Sequence, residues 1–186
     1  MSRAIQVRVS ESVVRTVHVE DGVQSPIEML PVLARDRMAE LLAAELEKLG
    51  FLRDGDKASR KDKDGIEITV DLANATVTVK LGADAKLAEE VELTARVGIE
   101  NQQSTEANLR DDAQRELEAR VAERTEALRR EVTKRLEDKL GDLRKELDGA
   151  VGQATVAALT ERAGQLGRIQ EVAADEAGNV TIRGKV

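Results

Sequence analysis

Apolar and polar positions alternate with period two at both ends of the first 82 residues. Ile5, Val7 and Val9 alternate with Gln6 and Arg8, and Val17 and Val19 alternate with Thr16 and His18. This pattern predicts two half-buried strands, with Ser10-Glu11-Ser12 as the turn between them. Asp21-Gly22 signals a further turn, and the only prolines, Pro26 and Pro31, bracket an irregular stretch. Residues 35–49 switch to helical spacing, with Met38, Leu41, Leu42, Leu46 and Leu49 on one face and Gly50 placed to end the helix. A short strand is expected around 57–60. Two clearer ones follow: Ile66, Ile68, Val70 and Leu72 alternate with charged and Thr positions, as do Val77, Val79 and Leu81. The short Ala73-Asn74-Ala75 connection suits an antiparallel hairpin. The fold class expected is α+β, with a ββαββ domain over 1–83 whose helix covers one sheet face.

From Ala83 the spacing Leu87, Val91, Ala95 suggests a helix, and from Thr105 to Leu166 the composition is that of a long one: Ala, Leu, Glu, Arg and Lys without proline. Leu117, Val121, Leu128, Val132, Leu136, Leu140, Leu143, Leu147, Val151 and Ala154 track one face. Offsets of eleven recur in Val121–Val132–Leu143–Ala154, a spacing of ~3.67 residues per turn whose stripe runs nearly straight. Sixty residues at ~1.5 Å each would make a rod of roughly 90 Å, more than an 80-residue domain is expected to cover. These ten residues are therefore expected to form a self-association seam, making the protein a homo-oligomer. Gly149 and Gly152 mark a place where a bend, a break or a tight helix crossing is expected, with a fold-back into a helical hairpin left open. The last 19 residues read as a β-hairpin: Ile169 and Val172, a turn cluster at 175–179, then Val180 and Ile182. A lone hairpin is marginal in water, so Val172, Val180 and Ile182 are expected to face a partner or another sheet. The expected division is 1–83, a helical rod over 84–167, and the hairpin over 168–186.

Composition narrows the chemistry. Of 186 residues, 35% are charged and 1% aromatic, and the formal charge is −7. The lack of aromatic stacking platforms and of a basic stripe argues against nucleic-acid binding. With no cysteine and one histidine, thiolate catalysis, cysteine-bound metals and His–His metal pairs within one chain are excluded. His18 lies on the polar phase of its strand and is expected to be a surface residue. Asp54, Asp56, Asp62 and Asp64 cluster, but interleaved Lys57, Arg60, Lys61 and Lys63 and the lack of calcium-ligand order make a solvated turn the expectation. Phosphate-loop, dinucleotide-binding, zinc-protease and serine-hydrolase signatures are absent from the sequence. No catalytic residue, metal or cofactor is expected. No apolar stretch spans a bilayer, and the opening residues lack an apolar leader core, so a cytoplasmic protein without membrane contact is the expectation.

Three segments together resemble a known family: Arg-Val-Ser-Glu-Ser-Val-Val-Arg-Thr-Val-His-Val-Glu-Asp-Gly at 8–22, Gly-Ile-Glu-Ile-Thr-Val-Asp-Leu at 65–72, and Arg-Ile-Gln-Glu-Val at 168–172 with Gly-Asn-Val-Thr-Ile at 178–182. With the long charged helix, they are similar to small accessory proteins encoded with FtsH-like AAA+ ATPases in bacterial ternary conflict systems. The resemblance implies an accessory or adaptor component working with an ATPase and carries over no active-site residue; with the missing catalytic motifs, a non-enzymatic adaptor is the expectation. The alternative from another class is a ligand-binding module or enzyme using a site in the N-terminal α+β domain.

Overall fold

The computed structural model describes residues 4–166, 168–174 and 180–185; beyond Leu166, side chains are described at Thr181 and Arg183. The elements are β1 (Ala4–Pro26), α1 (Arg35–Lys48), β2 (Leu52–Asp54), β3 (Lys57–Lys61), β4 (Glu67–Asp71), β5 (Thr76–Gly98), α2 (Gln102–Leu166), β6 (Arg168–Ala174) and β7 (Val180–Lys185). The fold is α+β. Five strands form one sheet in the order β1-β5-β4-β3-β2, and β6 pairs antiparallel with β7 in a sheet of their own. The chain divides into two compact units, residues 1–21 with 82–134, and residues 22–81 with 135–186. Strands β1 and β5 and helix α2 each contribute to both, whereas the linear division expected from sequence would cut β5 at residue 83.

Two expectations about the strands change. Residues 4–26 form one 23-residue strand rather than two joined by a turn at Ser10–Ser12. The inward positions are odd-numbered on both sides of that supposed turn, from Val7 and Val9 to Val17 and Val19, so a single unbroken pleat satisfies the pattern. Residues 84–98 continue β5 and are not helical. Leu87, Val91 and Ala95 are four apart, and four residues return to the same face of either a helix or a strand. Leu81, Leu93 and Val97 decide the matter: they extend the inward series at steps of two.

In the first unit, the inward faces of β1 and β5 pack on the N-terminal part of α2. Val9, Val91, Ala113 and Leu117 form a buried cluster, with Val13, Leu93 and Leu109 against it. The two strands run antiparallel: on their outer face Arg8 Nε lies 3.1 Å from Glu92 Oε1 and His18 Nδ1 2.8 Å from Asp84 Oδ1.

In the second unit, β3, β4 and the start of β5 pair in register, Arg60 opposite Ile68 and Ile68 opposite Val79. The hairpin joining β4 to β5 is fixed by Asp71, whose carboxylate accepts hydrogen bonds from the Asn74 N–H at 2.8 Å and Nδ2 at 3.0 Å. Asp62 Oδ1 accepts the Asp64 and Ile66 N–H groups, both at 2.9 Å, which closes the loop before β4. Helix α1 occupies nearly the expected span and buries Met38, Leu42, Ala43 and Leu46. Gly50, at φ +83°, makes the left-handed turn that ends it, a conformation that only glycine adopts without strain.

Helix α2 runs unbroken through Gly149 and Gly152, so the chain does not fold back there. Val121, Val132, Leu143 and Ala154, eleven residues apart, are all buried, as are Leu117, Leu136 and Leu147; Leu128, Leu140 and Val151 are half-buried. Seven of the ten stripe positions are thus buried within a single chain. β1 and β5, at 23 residues each, supply more apolar surface along α2 than short strands would.

Candidate interaction site

The second unit holds a cleft of about 370 Å³ on the solvent side of its core. Its floor is Val77 and Val79 of β5, and one wall is Leu140, Leu143, Leu147 and Val151 of α2. The opposite wall is Val23, Ser25, Pro26 and Ile27, where β1 ends. Pro26 lacks the N–H that would continue a strand ladder, and the Ile27 N–H turns to the Ala75 carbonyl at 2.7 Å, which fixes this wall beside β5. Glu28, Arg144 and Asp148 stand at the rim. All three are exposed, and none has an ion-pair or hydrogen-bond partner among the described residues. An apolar floor rimmed by unpaired charges is suited to gripping apolar side chains while orienting a charged neighbour.

A polar cluster lies next to the cleft and shares Val79, Leu140 and Leu143 with it. The Arg60 guanidinium donates to both Glu146 carboxylate oxygens, at 2.8 and 2.6 Å, and to the Leu49 carbonyl at 2.7 Å, one of the orphan acceptors at the end of α1. It also lies 4.6 Å from the centre of the Phe51 ring, the only aromatic in the chain. The hydrogen bonds to Arg60 hold the Glu146 carboxyl below its ordinary value, and Glu146 raises Arg60 in turn. Nearby, Lys139 Nζ lies 2.7 Å from Asp64 Oδ2 and lowers that carboxyl, while Arg135 donates to the Asp64 carbonyl at 3.3 Å. The acidic cluster read from sequence thus resolves into separate tasks: Asp62 closes a turn and Asp64 pairs with α2. Among the described residues no group of three or more His, Asp or Glu is arranged to hold a metal ion.

Charged residues of the first unit are absorbed similarly. Glu89 and Glu11 occupy inward strand positions and pair with α2, Glu89 Oε1 at 2.6 Å from Arg124 Nε and Glu11 Oε1 at 3.3 Å from Arg110 Nε. His18 sits on the exposed outer face against Asp84, as its polar phase implied. Among the seam residues, Leu140, Leu143, Leu147 and Val151 come together in the cleft. The side chains of Val172, Val180 and Ile182 lie outside the described residues; their backbones belong to β6 and β7, with Val172 opposite Ile182.

Sequence periodicity gave no sign of the cleft. Its walls come from residues 23–28, 77–79 and 140–151, and no local pattern joins segments that distant. The free charges Glu28, Arg144 and Asp148 were indistinguishable from the many solvated charges around them.

No helix among the described residues is long and apolar enough to cross a membrane. No curated protein and no solved structure matches the chain. One family does, over residues 1–186, and on that whole-length match the chain belongs to the family described as FtsH ternary system domain X5.

Proposed function

We propose that this protein is a non-enzymatic, cytoplasmic accessory subunit that binds the FtsH-like AAA+ ATPase of its ternary system as an adaptor. Membership of the family over the whole chain is the observation that carries this reading. The cleft of the second unit is the contact we assign to the ATPase. Its rim has two carboxylates, Glu28 and Asp148, against one cation, Arg144, so it favours a segment with apolar side chains followed by a Lys or Arg. Self-association through the α2 stripe is not part of the proposal, because one chain already buries most of that stripe.

The test is binding of the purified full-length chain to the purified ATPase encoded beside it. Val23, half-exposed on the cleft wall, is changed to Asp, and Asp148 on the rim to Lys, both at positions where folding should survive. Binding that weakens with both substitutions supports the reading. No binding by the unaltered protein sinks it.

A second reading rests on the cleft's size. A volume of about 370 Å³ lies within the range of small-molecule pockets, roughly 300–1,000 Å³, so a ligand-binding module is the alternative. Native mass spectrometry of the purified protein distinguishes the two: a retained small molecule lost in Val23→Asp favours the ligand, and a clean mass favours the protein partner.

A further inference from the structure

Among the described residues, strand β1 is an edge of the five-stranded sheet, with β5 as its one neighbour in the strand order. It is 23 residues long, far beyond the usual 3–10, and has no proline before Pro26 and no lysine. Natural edges of this kind are normally short, kinked, or guarded by lysine or proline, because an open ladder of N–H and C=O groups invites another strand. The inward series along this edge is Val7, Val9, Glu11, Val13, Arg15, Val17, Val19. Read in reverse it is the same series with Glu11 and Arg15 exchanged. Glu11 is held by Arg110, but Arg15, exposed although on the inward phase, has no ion-pair partner among the described residues.

We propose that β1 pairs antiparallel with β1 of a second copy about a two-fold axis at Val13. In that register Val7 faces Val19, Val9 faces Val17, and Val13 faces itself. Glu11 of each chain faces Arg15 of the other, which gives the unpaired cation a partner twice per dimer. Shifting the axis to Val14 sets Val13 against Arg15 and Val17 against Glu11, and shifting it to Arg15 sets that cation against itself, so the side chains select one register. The two-fold makes the contact isologous and closed, which yields a dimer and not a fibre. The proposal does not depend on the ATPase, and its test contains this chain alone.

Sedimentation equilibrium of the full-length protein should show a reversible dimer. Arg15→Glu sets two carboxylates against each other twice per dimer and should raise the dissociation constant by about tenfold or more. Glu11→Arg should do the same, while an equal mixture of the two variants should dimerise again, since each heterodimer contact is then Glu opposite Arg. The chain has no cysteine, so Val13→Cys reports the axis directly: mild oxidation should give a covalent dimer. Circular dichroism checks that each variant retains its fold. A monomer at all concentrations overturns the proposal. So does a dimer indifferent to Arg15→Glu, or one lost when residues 168–186 are removed.

Discussion

Removing the carboxylate charge of Glu146 tests how the second unit is tied together. Arg60 and Glu146 stand on β3 and α2 and are only about one-fifth and one-third exposed. The pair is bidentate, and Arg60 also satisfies the Leu49 carbonyl, so Glu146→Gln weakens an anchored guanidinium rather than a loose surface pair. An exposed pair is worth at most ~1 kcal/mol; partial burial and two charge-assisted hydrogen bonds raise the expected loss to about 1–2 kcal/mol. For a chain of this size that lowers the melting temperature by roughly 2–4 °C per kcal/mol. The sign with pH follows from the lowered Glu146 pKa. The folded protein holds the carboxylate more strongly than the unfolded chain, so the stabilisation is complete above the unfolded value and fades as pH falls through the folded one. Thermal unfolding of the two proteins, followed by circular dichroism, should therefore differ at pH 7 and converge in acid below the ordinary glutamate range. A double-mutant cycle with Arg60→Met should show coupling of about 1 kcal/mol. Additive single changes, or a difference unaltered in acid, would refute the reasoning.

Other positions test other parts of the fold. Leu42, 1% exposed on α1, should cost roughly 2–5 kcal/mol as Leu42→Ala, measured by urea unfolding. Val132→Asp, at a site 1% exposed, should unfold the protein or leave it with fluctuating tertiary packing, and Arg130→Asp two residues away should be nearly silent by the same measurement. Leu93→Asp should destabilise strongly while Thr94→Asp is tolerated, a parity contrast that a helix over 84–98 would not produce. Gly22→Ala should destabilise, because a Cβ there would lie 2.9 Å from the Val79 carbonyl oxygen; thermal unfolding reads the shift.

Local patterns carried much of the architecture. The span of α1, the 66–81 hairpin and the long run of α2 follow from short-range periodicity and from the short Ala73-Asn74-Ala75 connection. Where one pattern fits two structures equally, local sequence does not decide between them. The Leu87–Val91–Ala95 spacing fits helix and strand alike, and local propensity over 84–90 favours the helix. Tertiary context reverses it: Glu89, polar at an inward strand position, is made tolerable by Arg124 of α2, 35 residues further along the chain and outside any local window. Periodicity marks the α2 stripe as an apolar face, but what covers it depends on the lengths of β1 and β5, which no local window on α2 contains. The candidate cleft was not legible at all, since three separated segments build it.

Hydrogen exchange of the full-length protein, alone and with its ATPase, examines the adaptor reading most directly. The account predicts slowed exchange on binding at residues 23–28 and 140–151, the two walls of the cleft, with little change over 52–61. Exchange that is unaltered at both walls in a demonstrated complex, or a complex that never forms, would contradict it.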